Sequence, residues 1–197
     1  MKAIGLTGGL GMGKSACVEL LRARDLPVID TDDLARVVVG PQQPALAEIR
    51  QLFGPSVFAA DGGLRRDELA RRVFADPTAR KQLEQILHPR IRQLWRAQVE
   101  TWKSGNHPLA VVVIPLLFET GAQSELDVTV CVACSSPTQQ QRLLPRGWDL
   151  QQIQQRIAAQ FPIDKKIAAA DFLIWTEGSL DLHAAQLDRI LHSLSNK

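Results

Sequence analysis

The sequence has no long apolar run and no strong excess of charge of one sign. Lys and Arg (23) nearly balance Asp and Glu (21), which gives a net charge of +2 over 197 residues. A membrane-spanning helix needs about 20 consecutive apolar residues, and a nucleic-acid-binding surface needs clustered basic residues in excess. The first residues also lead directly into an apolar segment, without the charged leader of a signal peptide. We therefore expect a cytoplasmic protein that binds neither a membrane nor nucleic acid.

Residues that bind transition metals are also scarce. The chain has three cysteines and four histidines, and the histidines lack the i,i+4 pairing of a zinc site. Cys131 and Cys134 have C-x-x-C spacing, but they lie in an apolar run where residues three apart on a strand point to opposite faces. We predict buried free thiols and no transition metal held by the protein.

Linker-like Ser/Gly stretches, internal repeats and low-complexity tracts are missing too, so one globular domain is expected. Short Val- and Ile-rich runs alternate with longer amphipathic segments, which is typical of a parallel sheet covered by helices. The predicted fold class is α/β, and the long helical section at about 32–103 is a candidate substrate domain inserted between the second and third strands. We predict strands at 2–7, 27–30, 109–114, 128–133 and 172–175, and helices at 14–24, 32–39, 45–53, 67–74, 78–103, 150–160 and 179–194.

The most specific pattern is the glycine-rich stretch at 8–15, G-G-L-G-M-G-K-S, directly after an apolar strand. Gly8, Gly11 and Gly13 allow the backbone to approach a phosphate without Cβ clashes, so that successive N–H groups point at its oxygens. Lys14 is expected to reach the β- and γ-phosphates, and the Ser15 hydroxyl to ligate Mg²⁺. The stretch predicts a nucleotide site, while its chemistry is left open.

Ligands of a parallel sheet collect at the carboxyl ends of its strands. Asp32 follows the second strand, and its carboxylate is a candidate base that orients an acceptor hydroxyl towards a γ-phosphate. The same residues, Asp-Thr-Asp-Asp before Leu34, also form a good helix N-terminus with acidic first-turn residues. Capping and catalysis are equally supported for Asp32, whereas Asp30 and Asp33 fit capping better.

Two arginines follow the fourth strand. Arg142 and Arg146 are four residues apart, so their guanidinium groups share one face if that segment is helical, and they could clamp the transferring phosphate. Arg156 and Lys166 extend this basic cluster. The alternative for each residue is a solvated basic helix face.

Taken together, these segments resemble the dephospho-coenzyme A kinase family nearly end to end. The phosphate loop alone is shared by many NTPases, but its combination with the other segments is specific to that family. The matching segments are residues 6–15, V-I-D-T-D at 28–32 with Ala35 and Arg36, His88-Pro89, P-L-L-F-E at 115–119, Arg142, Arg146, Arg156-Ile157 with Gln160, Lys166 and Ala170-Asp171.

The resemblance implies transfer of the ATP γ-phosphate to the ribose 3′-hydroxyl of dephospho-coenzyme A, with Mg²⁺ accompanying ATP. It implies a P-loop NTPase-type core around a parallel five-stranded sheet (about 1–31, 104–136 and 164–197), a helical acceptor-binding subdomain (about 32–103) and a lid (about 137–163). The implied ATP-binding residues are Gly11, Met12, Gly13, Lys14, Ser15 and Ala16. The implied acceptor-binding residues are Asp32, Arg36, His88, Pro89 and Glu119, and the implied catalytic residues are Lys14, Asp32, Arg142 and Arg146.

The sequence departs from the family pattern after the last strand. Trp175-Thr176 stands where the family usually has Asp-Asn, so Thr176 is not assigned to the ATP site. Two alternative functions keep the same loop: a kinase for another nucleoside or small-metabolite hydroxyl, and a nucleotide-binding module without catalysis. A GTP-dependent switch is disfavoured because the guanine-reading Asn-Lys-x-Asp motif is missing. The sequence predicts no particular protein partner.

Overall fold

The computed structural model describes residues 1–195 and contains one five-stranded sheet. The strands are β1 (Lys2–Gly8), β2 (Val28–Asp30), β3 (Leu109–Val113), β4 (Val128–Ala133) and β5 (Phe172–Trp175). Their order across the sheet is β2-β3-β1-β4-β5, and every neighbouring pair is parallel. The α/β prediction is confirmed, and each strand agrees with its predicted range to within one residue.

The strand β1 is central in the sheet and pairs with both β3 and β4. Leu6 of β1 lies beside Val113 of β3 on one side and Val130 of β4 on the other. All three side chains are almost fully buried. Burial on both faces explains why these strands are continuous apolar runs rather than alternating ones. Because all strands run the same way, their carboxyl ends, including Gly8, meet at one edge.

Helices connect the strands, as the periodicity predicts. They are α1 (Lys14–Arg22), α2 (Thr31–Val38), α3 (Pro44–Phe53), α4 (Arg66–Ala75), α5 (Pro77–Ser104), α6 (Ser136–Leu143), α7 (Leu150–Ala158), α8 (Ile163–Ala169) and α9 (Leu180–Ser195). The predicted helices agree to within two residues, but α6 and α8 were not predicted as helices. Both are short, and α6 is largely polar, so neither shows a clear apolar period. The residue before α6, Ser135, is its N-cap, and its side chain accepts a hydrogen bond from the Thr138 N–H.

The chain divides into two compact units, Met1–Asp30 with the chain from Val99 onward, and Thr31–Gln98. The first unit contains the sheet, and its core packs α1 and α9 against β1, β3 and β4. The second unit is helical and has its own apolar cluster, formed around Ile49, Val57, Phe58, Leu69 and Val73. Among the described residues, no helix is long and apolar enough to cross a membrane.

Candidate active site

The phosphate loop joins β1 to α1 and depends on glycine at three positions. Gly8, Gly11 and Gly13 have φ values of 147°, 72° and 93°, in the region that side chains disfavour. A Cβ on Gly8 would lie 2.2 Å from the Val132 carbonyl oxygen. The loop backbone therefore packs directly on the carboxyl end of β4, at a distance that only glycine permits.

Lys14, the first residue of α1, turns back onto this loop. Its Nζ donates hydrogen bonds to the carbonyl oxygens of Gly8 at 2.6 Å and Gly9 at 2.8 Å. The ammonium charge is thereby held at the loop itself, where an anion bound by the backbone N–H groups would meet it. The other predicted ATP-binding residues lie in the same stretch: Gly11, Met12 and Gly13 in the loop, and Ser15 and Ala16 in the first turn of α1.

The tip of the phosphate loop is hydrogen-bonded to residues of the segment predicted to be a lid. The Leu10 N–H donates to Oε1 of Gln160 at 3.2 Å, and Nε2 of Gln139 donates to the Leu10 carbonyl oxygen at 2.7 Å. On Gly11, a Cβ would lie 2.8 Å from Cγ of Leu143. Residues from α6 and from the chain just after α7 therefore support the loop directly.

The two predicted phosphate-clamping arginines have different surroundings. The helix α6 ends at Leu143, and a 3₁₀ turn follows at Leu144–Arg146. Pro145 has no N–H to continue an α-helix, so Arg142 and Arg146 do not share one helix face as they would in a continuous helix. Arg142 instead donates to Thr176, from Nη1 to Oγ1 at 2.8 Å and from Nη2 to the carbonyl oxygen at 2.5 Å.

Arg146 lies near Trp148, a residue that the sequence analysis did not single out. The Cζ atoms of Arg146 and Arg156 lie 5.9 and 4.2 Å from the Trp148 ring centroid. Partial burial lowers the pKa of Arg156 from its ordinary value. Such cation–π contacts are worth about 0.5–1 kcal/mol at exposed sites, so the ring holds the exposed Arg146 guanidinium group only weakly.

Lys166 and Glu119 form a buried ion pair. Lys166 is 0% exposed, and its Nζ lies 2.8 Å from Oε1 of Glu119 and donates to the Pro115 carbonyl oxygen at 2.6 Å. The same Oε1 accepts from the Phe161 N–H at 2.7 Å. Lys166 therefore does not extend an exposed basic face with the lid arginines; its charge is neutralised inside the first unit. Oε2 of Glu119 is buried with no hydrogen-bond partner among the described residues, and an acceptor-binding role for Glu119 stays a prediction.

Glu177 is a further polar anchor at this edge of the sheet. Its carboxylate accepts hydrogen bonds from the Ser135 N–H at 2.9 Å, the Thr138 hydroxyl at 2.8 Å and the Trp175 ring N–H at 3.2 Å. These bonds, those from Ser135 first, lower the pKa of the Glu177 carboxyl from 4.5 to about 2. The ionised carboxylate thus ties the end of β5 to the start of α6. Its position after β5 was the sequence signal for it.

The remaining predicted acceptor-binding residues lie in the second unit. Asp32 is exposed in the first turn of α2, beside Asp33, whose Oδ1 accepts from Nη1 of Arg36 at 3.2 Å. His88 and Pro89 lie inside α5, and burial lowers the pKa of the His88 imidazole. The helix begins at Thr31, so Asp32 has the position expected for either a first-turn acid or a base, and both interpretations stay open.

The predicted Mg²⁺ ligand is compatible with the site. Ser15 is exposed in the first turn of α1, next to Lys14. Among residues 1–195, no group of three or more His, Cys, Asp or Glu side chains could form a metal cage. The Ser15 hydroxyl suits Mg²⁺, which binds mainly to substrate phosphates and water and needs few protein ligands.

The three cysteines, Cys17, Cys131 and Cys134, are buried and free, as predicted. Burial raises the pKa of Cys131 to about 11.

A family model, curated relatives and solved structures each match this chain over most of its length. The family model for dephospho-CoA kinase matches residues 2–181. A dephospho-CoA kinase of Anaeromyxobacter dehalogenans is 45% identical over 195 residues, covering 98% of this chain and 92% of that protein. A crystal structure from Thermus thermophilus is 34% identical with a TM-score of 0.82, covering 98% and 97% of the two chains. Dephospho-CoA kinase from Campylobacter jejuni, at 24% identity and a TM-score of 0.71 over 98% and 97%, has the same fold.

The buried ion pair predicts a large effect of removing one partner. Lys166→Met leaves the Glu119 carboxylate buried without a counter-charge, which should lower the free energy of unfolding by about 3–5 kcal/mol. The double variant Lys166→Met/Glu119→Gln should recover a large part of that loss, because no uncompensated charge remains. Urea unfolding of the three proteins measures this, and a double variant no more stable than Lys166→Met would contradict the pairing.

Glu177 predicts a pH dependence of stability. Because its folded pKa of about 2 lies below the ordinary 4.5, the unfolded chain takes up the proton first as the pH falls. The stabilisation by Glu177 should be complete above about pH 4.5 and disappear as the pH falls towards about 2. The difference in urea midpoint between the wild type and Glu177→Gln should shrink over that range. The control Glu19→Gln, on the exposed side of α1, should show no comparable trend.

Proposed function

The chain belongs to the dephospho-CoA kinase family, and on that premise we propose that it is a transferase that moves the γ-phosphoryl group of ATP to the ribose 3′-hydroxyl of dephospho-CoA. The products are coenzyme A and ADP, in the last step of coenzyme A biosynthesis. The observation that carries the proposal is the phosphate loop with the Lys14 ammonium held at 2.6–2.8 Å from its carbonyl oxygens, in a chain that the family model matches over residues 2–181. Because ATP is the donor, we propose that the protein acts in the cytoplasm.

We propose that the loop binds the ATP phosphates through its backbone N–H groups. The glycine conformations keep side chains away from the phosphates, and Lys14 offsets the charge that develops on the transferring group. On ATP binding, Lys14 exchanges its contacts with the Gly8 and Gly9 carbonyl oxygens for phosphate oxygens. Mg²⁺, bound by ATP and the Ser15 hydroxyl, would supply further neutralisation of phosphate charge.

For the acceptor, we propose that Asp32 orients the 3′-hydroxyl. The chain passes from Asp30, the last residue of β2, directly into α2, which leaves Asp32 two residues beyond the carboxyl end of that strand. In a loose phosphoryl-transfer transition state the hydroxyl proton leaves late, so the carboxylate contributes mainly by aiming the oxygen. Arg36, His88, Pro89 and Glu119 are the proposed contacts of the rest of dephospho-CoA.

For the lid, we propose that residues 137–163 cover the phosphates. The hydrogen bonds of Gln139 and Gln160 with Leu10 support this proposal, because both residues belong to the segment and Leu10 belongs to the loop. Arg142 and Arg146 would then stabilise the charge of the transferring phosphate. Exclusion of water by the covering segment would prevent hydrolysis of ATP in competition with transfer.

The acceptor is tested by offering the purified protein dephospho-CoA, several nucleosides and pantothenate side by side with ATP. We expect ADP release with dephospho-CoA and little with the others. Lys14→Ala should lower turnover by about 10²–10³-fold, while circular dichroism shows an unchanged fold. ADP release that is faster with a nucleoside would assign a different kinase activity, and tight ATP binding without turnover would indicate a binding module.

Asp32 is tested by comparison with its neighbour. If Asp32 orients the hydroxyl, Asp32→Asn should lower turnover by about 10²–10⁴-fold and leave ATP affinity nearly unchanged. Asp33→Asn removes an adjacent first-turn acid, and its turnover should stay within a few-fold of wild type. Steady-state kinetics and ATP titration measure both effects. If the two variants behave alike, or if Asp32→Asn unfolds the protein, Asp32 serves the helix rather than the reaction.

A further inference from the structure

Thr176 is the first residue after β5 and lies against the phosphate loop. It is 1% exposed, and its N–H donates to the Ala133 carbonyl oxygen at 2.8 Å, which extends the pairing of β4 with β5 by one residue. Its side chain packs on the loop glycine: a Cβ on Gly13 would lie 3.0 Å from Oγ1 of Thr176. The position of Thr176 is therefore fixed by the sheet on one side and by the loop on the other.

The directions of the Thr176 hydrogen bonds follow from their partners. Oγ1 lies 2.9 Å from the Met12 carbonyl oxygen, which can only accept, so the single hydroxyl proton is donated there. The oxygen lone pairs then accept from Nη1 of Arg142 at 2.8 Å. Nη2 of Arg142 donates to the carbonyl oxygen of Thr176 at 2.5 Å. Thr176 thus accepts hydrogen bonds from both Nη atoms of Arg142 and donates one to the backbone of the phosphate loop.

Arg142 keeps its positive charge available in this arrangement. The two Thr176 oxygen atoms that accept its hydrogen bonds are neutral, and Arg142 forms no ion pair with a carboxylate among residues 1–195. The two Nη atoms of the planar guanidinium group bond to the hydroxyl and carbonyl oxygens of Thr176. This pair of hydrogen bonds fixes both the position and the orientation of the group. A donor fixed in this way before the reaction contributes more to charge stabilisation than a mobile one.

We propose that the Thr176 hydroxyl is a positioning residue for the phosphoryl transfer, acting through Arg142. It sets the guanidinium group of α6 at a fixed place relative to Met12 and Gly13 of the phosphate loop. The proposal rests on the proposed kinase function. It gives a role to a residue that the sequence analysis left out of the ATP site, since Thr176 need not touch the nucleotide to act.

The hydroxyl is tested by Thr176→Val, which keeps the shape of the side chain and removes both side-chain hydrogen bonds. We expect kcat with dephospho-CoA to fall about 10- to 100-fold, the size of effect that misplaced supporting groups have, and KM for ATP to change less than about threefold. Thr176→Ser, which keeps the hydroxyl, should restore kcat to within about threefold of wild type. If Thr176→Val does not fold, Thr176→Ala, which cannot press on Gly13, gives the same comparison.

A matched control separates this role from general stability. Thr129 is also buried, and its hydroxyl is hydrogen-bonded to Asp171 at 2.7 Å, at the opposite edge of the sheet from the phosphate loop. Thr129→Val should lower the urea midpoint without lowering kcat at a temperature where the protein is folded. An equal loss of kcat in Thr129→Val and Thr176→Val would refute the inference.

The decisive measurement is a double-mutant cycle with Arg142. If Thr176 acts through Arg142, adding Thr176→Val to Arg142→Met should lower kcat by less than about twofold further, because the group being positioned is already gone. An undiminished loss in the Arg142→Met background, or a Thr176→Val protein with wild-type kcat, would refute the inference alone. Wild-type protein that releases no ADP with dephospho-CoA would refute the proposed function, and the inference with it.

Discussion

The close approach of the phosphate-loop backbone to the carboxyl edge of the sheet is the constraint on which the site depends. A Cβ on Gly8 would come within 2.2 Å of the Val132 carbonyl oxygen, and one on Gly13 within 3.0 Å of the Thr176 side chain. With glycine at both positions, the loop lies on β4 and on the residue after β5. The same approach brings the Gly8 carbonyl oxygen within 2.6 Å of the Lys14 ammonium. On the proposed function, this backbone geometry creates the surface that binds the phosphates, and Lys14 adds its charge to it.

The basic residues around this loop differ in what neutralises them. Lys166 is fully buried against Glu119 at 2.8 Å, and removing an ammonium from water is tolerated there only because the carboxylate compensates its charge. Arg142 lies on the hydroxyl and carbonyl oxygens of Thr176, which carry no net charge. The charge of Lys166 is therefore largely compensated by its partner, whereas Arg142 is hydrogen-bonded to neutral oxygen atoms. This difference separates two residues that sequence spacing alone had grouped into one basic cluster.

The parts of the fold that could be predicted are those with a strong local signal. The strands were predicted correctly because each contains a short, mostly apolar run, and the phosphate loop was recognised because its glycine and lysine spacing has one physical use. Two kinds of feature were missed: the short helices α6 and α8, which show no clear apolar period, and contacts between residues distant in sequence. Lys166 and Glu119 are 47 positions apart and Arg142 and Thr176 are 34 apart, and no local period reveals such pairs. The end of α6 before Arg146, in contrast, could have been predicted from the sequence. Pro145 lies three residues after Arg142, and a proline disfavours continuation of an α-helix.

The two arginines of the predicted lid differ in how firmly the protein holds them. Arg142 makes two hydrogen bonds to buried Thr176, each worth about 0.5–1.5 kcal/mol net, so moving it away requires both to break. Arg146 is exposed, with its Cζ 5.9 Å from the Trp148 ring centroid, and leaving that contact costs about 0.5–1 kcal/mol at most. On the proposed function, Arg142 therefore occupies its position before ATP arrives, and Arg146 is the group that can turn towards phosphate at little cost. If residues 137–163 act as the proposed lid, completing the site needs only a small part of the binding energy of ATP, because Arg142 is already held in place by Thr176.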